Sequence, residues 1–361
     1  MMQWVGTAKS NQDHVLAAAA IGLAVCCCAC ASRPLEGVLV PNAQSAEGTS
    51  RIPVLVATTR QPSTTDAGEM FGGDRGEAVS YASITVSIPP DDARKIGQIQ
   101  WPASLPGDPG HDFVTVSADR IDKRSFNAAI SAAAKATKRS KVLVFVHGYN
   151  NRFDEAVYRL AQIAQDSKAP VIPVLFSRPS QGLISLDAYK TDLENANSSR
   201  NALLQLLATI ALNRDVKEVT VLCHSMGCWP ALEALQAKGK VKSVLLVAPD
   251  VAVDDFRTEL QHISTPKPRI ALFASQDDQT LKLSKLISGG KARLGDINPN
   301  EEPYRSEFEG DGILVFDLTG LQNDAHSRAF EDVTSVMGLI EQRLAAGQQM
   351  ADSSSTTGIA Q

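Results

Sequence analysis

The sequence predicts an α/β fold with a mostly parallel central sheet, antiparallel strands at its N-terminal side and helices on both faces. Short apolar runs alternate with segments of helical spacing from residue 122 to residue 346, which is typical of a parallel sheet wrapped by helices. Residues 80–88 instead alternate apolar and polar positions and stop at Pro89-Pro90, which indicates an antiparallel strand. The chain has 361 residues, of which 43% are hydrophobic, so it can bury a core of this size.

The first 50 residues predict export. Residues 15–25 form an apolar run of the length of a signal-peptide core, which is too short to span a bilayer comfortably. Ala29 and Cys30 follow, in a pattern that resembles the lipobox of bacterial lipoproteins, whose cysteine is acylated. We therefore expect a signal peptide over 1–30, lipidation at Cys30 and a flexible tether over 31–50. A lipoprotein of this kind is held at a membrane of the cell envelope and faces the periplasm or the exterior; a cleaved secretory signal and an uncleaved anchor are the alternatives.

Residues 51–346 are predicted to form the folded domain, and residues 347–361, rich in serine and threonine, a disordered tail. The predicted strands are residues 51–60, 80–88, 113–117, 142–146, 171–176, 219–222, 244–247, 270–273 and 313–316. The predicted helices are residues 122–138, 153–166, 186–212, 226–236, 254–263, 280–287 and 327–346. A long polar loop is predicted over 61–76. Pro173 lies within a strand run, which indicates either an edge position or a bulge.

Composition argues against several kinds of partner. The net charge is −5 and no basic block is present, so a nucleic-acid partner is not expected. Histidines and cysteines do not recur at metal-ligand spacing, and no phosphate-binding glycine loop is present, so neither a metal nor another cofactor is expected. Cys223 and Cys228 are predicted to be small packing residues rather than a disulfide.

The strand predicted over 219–222 ends at Cys223-His224-Ser225-Met226-Gly227, which has the small-x-Ser-x-Gly form of a nucleophile elbow. In such a turn the serine hydroxyl stands above the carboxyl edge of the sheet. Gly227 meets the need for a small residue two positions after the serine, and Cys223 stands where glycine is usual. Ser225 is therefore the candidate nucleophile.

Two further strand ends carry matching chemistry. The loop after residue 146 begins His147-Gly148-Tyr149, and it is expected to supply an oxyanion-hole N–H from Tyr149, with Gly148 as the alternative. The residue after the nucleophile, Met226, would supply the second N–H. The strand over 270–273 is followed by Asp277 and Asp278, either of which can be the orienting acid.

We prefer Asp278, because in loops of this type the acid generally lies three residues before the first apolar residue of the next helix, here Leu281. The other aspartate would then cap that helix. His326 is the only histidine after the acid, so the chain order serine, acid, histidine predicts it as the base. His224 is expected to point away from the site.

Taken together, the chain resembles a family of bacterial α/β-hydrolase-fold proteins, often lipoproteins, that are mostly known only as esterases or lipases of unsettled substrate. The segments that carry the resemblance cover most of residues 51–345. They are 54–60, 86–90, 146–150, Phe176-Ser177, Pro179-Ser180, Tyr189 with Asp192, 224–227, Asp278 with Leu281 and Ser284, and His326-Ser327. Two positions depart from the family: Arg178 stands where tryptophan is frequent, and Cys223 where small residues such as alanine are.

The residues and the resemblance together predict a serine hydrolase that cleaves carboxylic esters through an acyl-enzyme, on a small-molecule or lipid substrate. We expect His147, Gly148, Arg178 and Tyr189 to line its pocket. The alternatives are acyl transfer, thioester cleavage or amide cleavage by the same triad, and a non-catalytic envelope module that binds through a hydrolase fold.

Overall fold

The computed structural model describes residues 36–64, 68–137, 140–235, 239–263, 265–321 and 325–331. Its strands are β1 (Ser50–Pro62), β2 (Phe71–Ile88), β3 (Val114–Ile121), β4 (Lys141–Val146), β5 (Val171–Ser177), β6 (Glu218–His224), β7 (Val241–Val247), β8 (Arg269–Ala274) and β9 (Leu314–Asp317). Its helices are α1 (Lys123–Thr137), α2 (Phe153–Asp166), α3 (Leu186–Leu212), α4 (Cys228–Ala234), α5 (Val253–His262), α6 (Gln279–Ile287), α7 (Tyr304–Asp311) and α8 (Arg328–Glu331).

The nine strands form one sheet in the order β3-β2-β1-β5-β4-β6-β7-β8-β9. β1 pairs antiparallel with β2, and β2 antiparallel with β3. Every other neighbouring pair, from β1–β5 to β8–β9, is parallel. The prediction of a mostly parallel sheet with antiparallel strands on the N-terminal side is therefore confirmed.

Apolar side chains on both faces of the sheet explain the uninterrupted apolar strand sequences. In β4, Val142, Val144 and Val146 belong to one buried cluster, which also contains residues of α1, α3, α4, α5 and α7. Leu143 and Phe145 belong to a second cluster, with residues of α2, α6 and α8. Successive side chains of a strand point to opposite faces, so a strand that is covered on both sides must be apolar throughout. Each such fully buried side chain contributes about 1.5–3 kcal/mol to folding.

Two strand predictions were wrong in detail. β2 begins at Phe71, inside the predicted polar loop, and pairs there with Pro62 and Arg60 of β1 across two register shifts. β5 is an interior strand, although Pro173 lies within it. Pro173 pairs with β4, whereas the pairing of β5 with β1 begins only at Val174, so the proline has a ladder neighbour on one side alone.

Part of the predicted tether packs against the domain. Val38 and Leu39 are buried. The Thr115 hydroxyl donates to the Val38 carbonyl at 2.9 Å, and Asn42 Nδ2 donates to the Gly107 carbonyl at 2.8 Å.

Several sequence-based predictions lie outside the described residues: the signal peptide over 1–30, Cys30, the tail over 347–361, and the last predicted helix beyond residue 331. Within the residues that the structure describes, no helix combines the length and the apolar character that a membrane crossing requires.

Candidate active site

Ser225 lies at the first position of a 3₁₀ turn, Ser225–Gly227, between β6 and α4. Its φ of 51° is in the left-handed region, which residues other than glycine rarely adopt and which costs of order 1–3 kcal/mol. Gly227 allows the turn to close, because a Cβ at this position would overlap the His147 carbonyl oxygen and lie 2.8 Å from that of Val146. The predicted strand-to-helix turn is thus present, with Ser225 in the strained conformation that such a corner requires.

Cys223 and Cys228 form a disulfide, so the prediction that they are only packing residues was wrong. Cys223 is the next-to-last residue of β6, and Cys228 is the first residue of α4. Because the turn folds the helix back over the strand end, their Cα atoms lie 4.9 Å apart, within the range of a disulfide. The cysteine at the usual glycine position therefore has a partner across the turn.

His326 and Asp278 form a close pair, with His326 Nδ1 2.7 Å from Asp278 Oδ2. Asp278 is fully buried in the loop between β8 and α6, and its Oδ1 accepts the Leu281 N–H at 3.0 Å, which caps α6. Burial alone would raise the pKa of Asp278, but the charge and hydrogen bond of His326 and the Leu281 N–H hold it below its usual value. One carboxylate thus both orients the imidazole and caps the helix.

Asp277 faces a different part of the protein. Its Oδ1 accepts the Ser275 hydroxyl at 2.5 Å, and its Oδ2 accepts the Gly320 N–H at 3.2 Å. The expectation that the second aspartate caps α6 was wrong, because Asp278 makes that contact itself. Of the two acids that the sequence left open, the structure places Asp278 at His326.

The His224 side chain points toward His326, contrary to our expectation that it points away from the site. Its Nε2 lies 2.9 Å from the His326 carbonyl oxygen, and the two rings are 4.8 Å apart between centroids. Since a carbonyl only accepts, His224 carries its proton on Nε2 and donates it. Burial, followed by the charge of His326, lowers the pKa of His224 to about 3, so this imidazole is neutral near pH 7. His224 therefore holds the backbone of the residue predicted to be the base.

The predicted oxyanion loop lies against the elbow. A Cβ on Gly148 would be 3.0 Å from Ser225 Cβ and 2.9 Å from His224 Nδ1, so only glycine lets the loop approach this closely. Met226 is fully buried in the 3₁₀ turn beside it. The Tyr149 hydroxyl bonds the backbone around residues 183–185, and its ring packs edge-on against Tyr189 at 5.4 Å between centroids.

Arg178 and His147 do not line a pocket wall as expected, because both are fully buried beneath the loop of residues 148–151. His147 Nδ1 lies 2.9 Å from the Gly148 carbonyl oxygen and Nε2 lies 3.1 Å from Ser177 Oγ. Burial, with the nearby charges of Arg178 and Arg60, lowers the pKa of His147 well below its usual value. Buried polar groups of this kind need partners. The two nitrogens of His147 have them, and the Nη atoms of Arg178 donate to backbone carbonyls, whereas Arg178 Nε has no hydrogen-bond partner among the described residues.

Asp250 is a polar residue of the site that sequence reasoning missed. It follows β7, its N–H donates to the Ser225 carbonyl at 3.1 Å, and its Oδ2 accepts the Tyr189 hydroxyl at 3.0 Å. Ser284 of α6 donates to Asp250 Oδ1 at 2.5 Å, and Arg293 Nε lies 3.3 Å from the same oxygen. An acid within three residues of the end of a buried parallel strand is the signal that could have found it.

Among the residues that the structure describes, no three His, Cys, Asp or Glu side chains gather as metal ligands would.

Comparison with known proteins places this arrangement in a family. The family described as "Alpha/beta hydrolase of unknown function (DUF900)" matches residues 122–343. No curated protein matches the chain.

Solved structures with a similar chain course include a dienelactone hydrolase-like promiscuous phosphotriesterase, P91, from metagenomic libraries. It is 12% identical with a TM-score of 0.33, over 81% of this chain and 98% of that one. The siderophore hydrolase EstB from Aspergillus nidulans is 13% identical with a TM-score of 0.31, over 80% and 94%. A lipase-esterase related protein from Clostridium acetobutylicum is 10% identical with a TM-score of 0.33, over 57% and 95%.

Proposed function

Because the chain belongs to the α/β-hydrolase family of unknown function DUF900, we propose that it is a serine hydrolase that cleaves carboxylic esters through an acyl-enzyme. The observation that carries the proposal is the 2.7 Å contact between His326 Nδ1 and Asp278 Oδ2, in a chain whose Ser225 occupies a strained strand-to-helix corner. A buried carboxylate on Nδ1 fixes the imidazole tautomer that leaves Nε2 as a base.

In the proposed reaction, Ser225 Oγ attacks the acyl carbonyl carbon while His326 Nε2 takes the hydroxyl proton. The tetrahedral intermediate collapses, the bond to the alcohol breaks, and His326 returns the proton to the leaving oxygen. Water then attacks the acyl-enzyme, its proton goes to His326, and the carboxylic acid leaves as Ser225 regains its proton. Asp278 stabilises the imidazolium in both halves.

The backbone N–H groups of Tyr149 and Met226 are the proposed donors to the oxyanion. The close approach of Gly148 to Ser225 supports this assignment, since it places the loop directly beside the nucleophile. Donors of this kind each contribute about 2.7–4 kcal/mol to the lowering of the barrier.

A fluorophosphonate probe tests the proposal, because it reacts only with an activated serine. The purified protein should be labelled, peptide mapping should find the adduct at Ser225, and Ser225→Ala should abolish both labelling and hydrolysis of p-nitrophenyl acetate. A folded wild-type protein that resists the probe, or a Ser225→Ala variant that keeps full ester turnover, contradicts the proposal.

We also propose that the protein is exported and lipidated at Cys30. The sequence pattern around Cys30 supports this, and so does the Cys223–Cys228 disulfide, because disulfides persist mainly in oxidising compartments outside the cytosol. In cells fed with labelled palmitate, the wild-type protein should take up label and sediment with membranes. Cys30→Ser should lose the label, whereas the matched variant Cys27→Ser should keep it; equal labelling of both variants would refute the assignment.

A further inference from the structure

The Gly148 carbonyl oxygen receives two N–H donors from buried side chains. Arg178 Nη2 donates to it at 2.8 Å, and His147 Nδ1 donates to it at 2.9 Å. The His147 assignment follows because a carbonyl can only accept, which leaves Nε2 to accept from the Ser177 hydroxyl. Both donor side chains are fully buried, so water does not compete with the carbonyl for their N–H groups.

This carbonyl belongs to the same peptide unit as the Tyr149 N–H. The peptide is trans, since the cis bonds in the described chain all precede proline, and in a planar trans peptide the C=O and N–H point in opposite directions. Fixing the Gly148 oxygen toward Arg178 therefore turns the Tyr149 N–H away from Arg178. The peptide lies beside the nucleophile, because a Cβ on Gly148 would be 3.0 Å from Ser225 Cβ.

Arg178 also brings a positive charge to the rear of this peptide. Burial lowers the pKa of Arg178 and the nearby Asp192 carboxylate opposes that effect; a guanidinium remains protonated in proteins. Asp192 Oδ2 is 3.9 Å from Arg178 Nη1. A cation bound to the carbonyl polarises the peptide, and in a low-dielectric site this strengthens the N–H at its other end as a donor.

Other side chains hold the rest of the loop. Asp192 accepts the Asn150 N–H at 3.2 Å, and Ser180 Oγ accepts the Asn151 N–H at 3.1 Å. A second fully buried arginine, Arg60, donates from Nη2 to the Asn151 carbonyl at 2.7 Å. The two arginines thus bind different peptides of one loop, and only Arg178 binds the one that contains the Tyr149 N–H.

We propose that Arg178 is a positioning residue that orients and polarises the Gly148–Tyr149 peptide, so that the Tyr149 N–H donates to the oxyanion formed at Ser225. The inference rests on the proposed serine hydrolase function. It gives a role to the arginine at a position where the resembling family frequently has tryptophan. Arg178 acts through the peptide and does not itself touch the substrate.

The test compares Arg178→Gln and Arg178→Lys with the wild-type protein on p-nitrophenyl acetate. Loss of one oxyanion donor costs about 10²–10³ in kcat, so a donor that is kept but loosely oriented should cost about 10- to 100-fold, with KM changed less than about 2-fold. Benzeneboronic acid, which forms a tetrahedral anion on the serine, should bind more weakly by a similar factor. Arg178→Lys should fall between wild type and Arg178→Gln, because lysine keeps the charge without the fixed planar fork.

Arg60→Gln is the matched control, since it removes an equally buried guanidinium that binds the same loop at the Asn151 carbonyl. Thermal unfolding of all variants reports their stability, and Arg178→Lys decides the question if Arg178→Gln does not fold. The inference is overturned if a folded Arg178 variant keeps wild-type kcat and boronate affinity. It is also overturned if Arg60→Gln weakens boronate binding as much as Arg178→Gln does, which would indicate loop scaffolding alone. If the wild-type protein neither hydrolyses the ester nor reacts with a fluorophosphonate, the proposed function fails, and this inference fails with it; an active wild type with unchanged Arg178 variants removes only this inference.

Discussion

Ser225 and Gly227 each meet one structural requirement of the turn between β6 and α4. Ser225 accepts a backbone conformation that is unfavourable for its type, and Gly227 gives the space that lets the turn close against β4. The strained backbone conformation of Ser225 persists because the surrounding structure, including β6 and α4 on either side of the turn, fixes the path of the chain.

Gly227→Ala should therefore prevent normal folding or destabilise it by more than about 3 kcal/mol, since its Cβ would overlap backbone rather than a movable side chain. Gly310→Ala is the matched control, because nothing lies within 4 Å of its Cβ position in α7. That change should leave stability equal or raise it by up to about 1 kcal/mol. Urea unfolding measures both; a Gly227→Ala protein as stable as wild type would refute the described turn.

Asp278→Asn should lower kcat by about 10³- to 10⁴-fold, because an amide cannot stabilise the imidazolium and favours the wrong tautomer. Stability should change little through the helix cap, since asparagine caps a helix about as well as aspartate. Asp277→Asn should keep kcat within about threefold of wild type, as its contacts are to Ser275 and Gly320. Steady-state ester hydrolysis distinguishes the two, and equal losses would contradict the assignment of the acid.

Strand ends and chain order restrict the choices strongly, so the sequence pointed to Ser225 and His326 and left Asp277 open beside Asp278. The structure brings Asp278 into contact with His326. The sequence did not locate the side chains of Arg178 and His224. A long guanidinium can reach a pocket or the underside of a loop, and the decision depends on where the 148–151 backbone runs. The direction of His224 likewise depends on the distant His326 carbonyl, 102 positions along the chain.

At the scale of elements, the β6–turn–α4 unit is joined at both ends by the Cys223–Cys228 bond. The bond closes a loop of only five residues in sequence separation. A loop of this size should contribute about 2 kcal/mol by restricting the unfolded chain.

The double variant Cys223→Ala/Cys228→Ala should accordingly lose about 2 kcal/mol in its free energy of unfolding. Wild-type protein that is unfolded and refolded in reductant should show the same free energy of unfolding as the double variant. Reductant should not change the free energy of unfolding of the double variant. When the denatured, unreduced wild type is treated with an alkylating agent, mass spectrometry should find Cys223 and Cys228 unmodified, because their sulfur atoms are bonded to each other. Alkylation of these two cysteines would contradict the bond.

The early part of β2 shows where element prediction fails. Residues 71–76 contain Gly72, Gly73 and Gly76, and glycine is depleted in strands, so the sequence favours a loop. The structure continues the strand because β1 extends beside it with two register shifts. A Cβ on Gly76 would lie 2.8 Å from the Arg60 carbonyl, so this glycine permits a close approach of the two strands.

At the scale of the whole molecule, the parallel sheet gathers the site. The loops after β4, β6, β7 and β8 leave from the same carboxyl edge, and they carry Gly148, Ser225, Asp250 and Asp278. The repeating strand–helix rhythm was enough to predict this gathering. The contacts between loops, such as His224 with His326, required the structure.

The free energy of unfolding should fall as the pH is lowered from 6.5 toward 4. Burial keeps His224 unprotonated in the folded state down to a pKa of about 3, whereas an unfolded histidine binds a proton below its ordinary pKa of about 6.5. The unfolded state therefore binds more protons in this window, which favours unfolding. The burial of His147 acts in the same direction.

His224→Gln isolates this contribution, because glutamine does not titrate. Asp296, whose pKa burial raises to about 6, acts in the opposite sense in both proteins and cancels in the comparison. As the pH is lowered from 6 to 4, the wild type should lose about 1 kcal/mol more of its free energy of unfolding per pH unit than the variant does. Parallel urea titrations at several pH values measure it; two curves of equal slope would contradict a His224 that stays neutral in the folded protein.

The most direct test of the central claim is to trap the acyl group during turnover. Wild-type protein mixed with p-nitrophenyl acetate should be quenched with acid within the first turnovers and mapped by peptide mass spectrometry. The account predicts one acetyl group on the peptide that contains Ser225, and none in Ser225→Ala treated identically. An acetyl group found on another residue during efficient turnover, or full turnover by Ser225→Ala, would contradict the claim that Ser225 is the nucleophile.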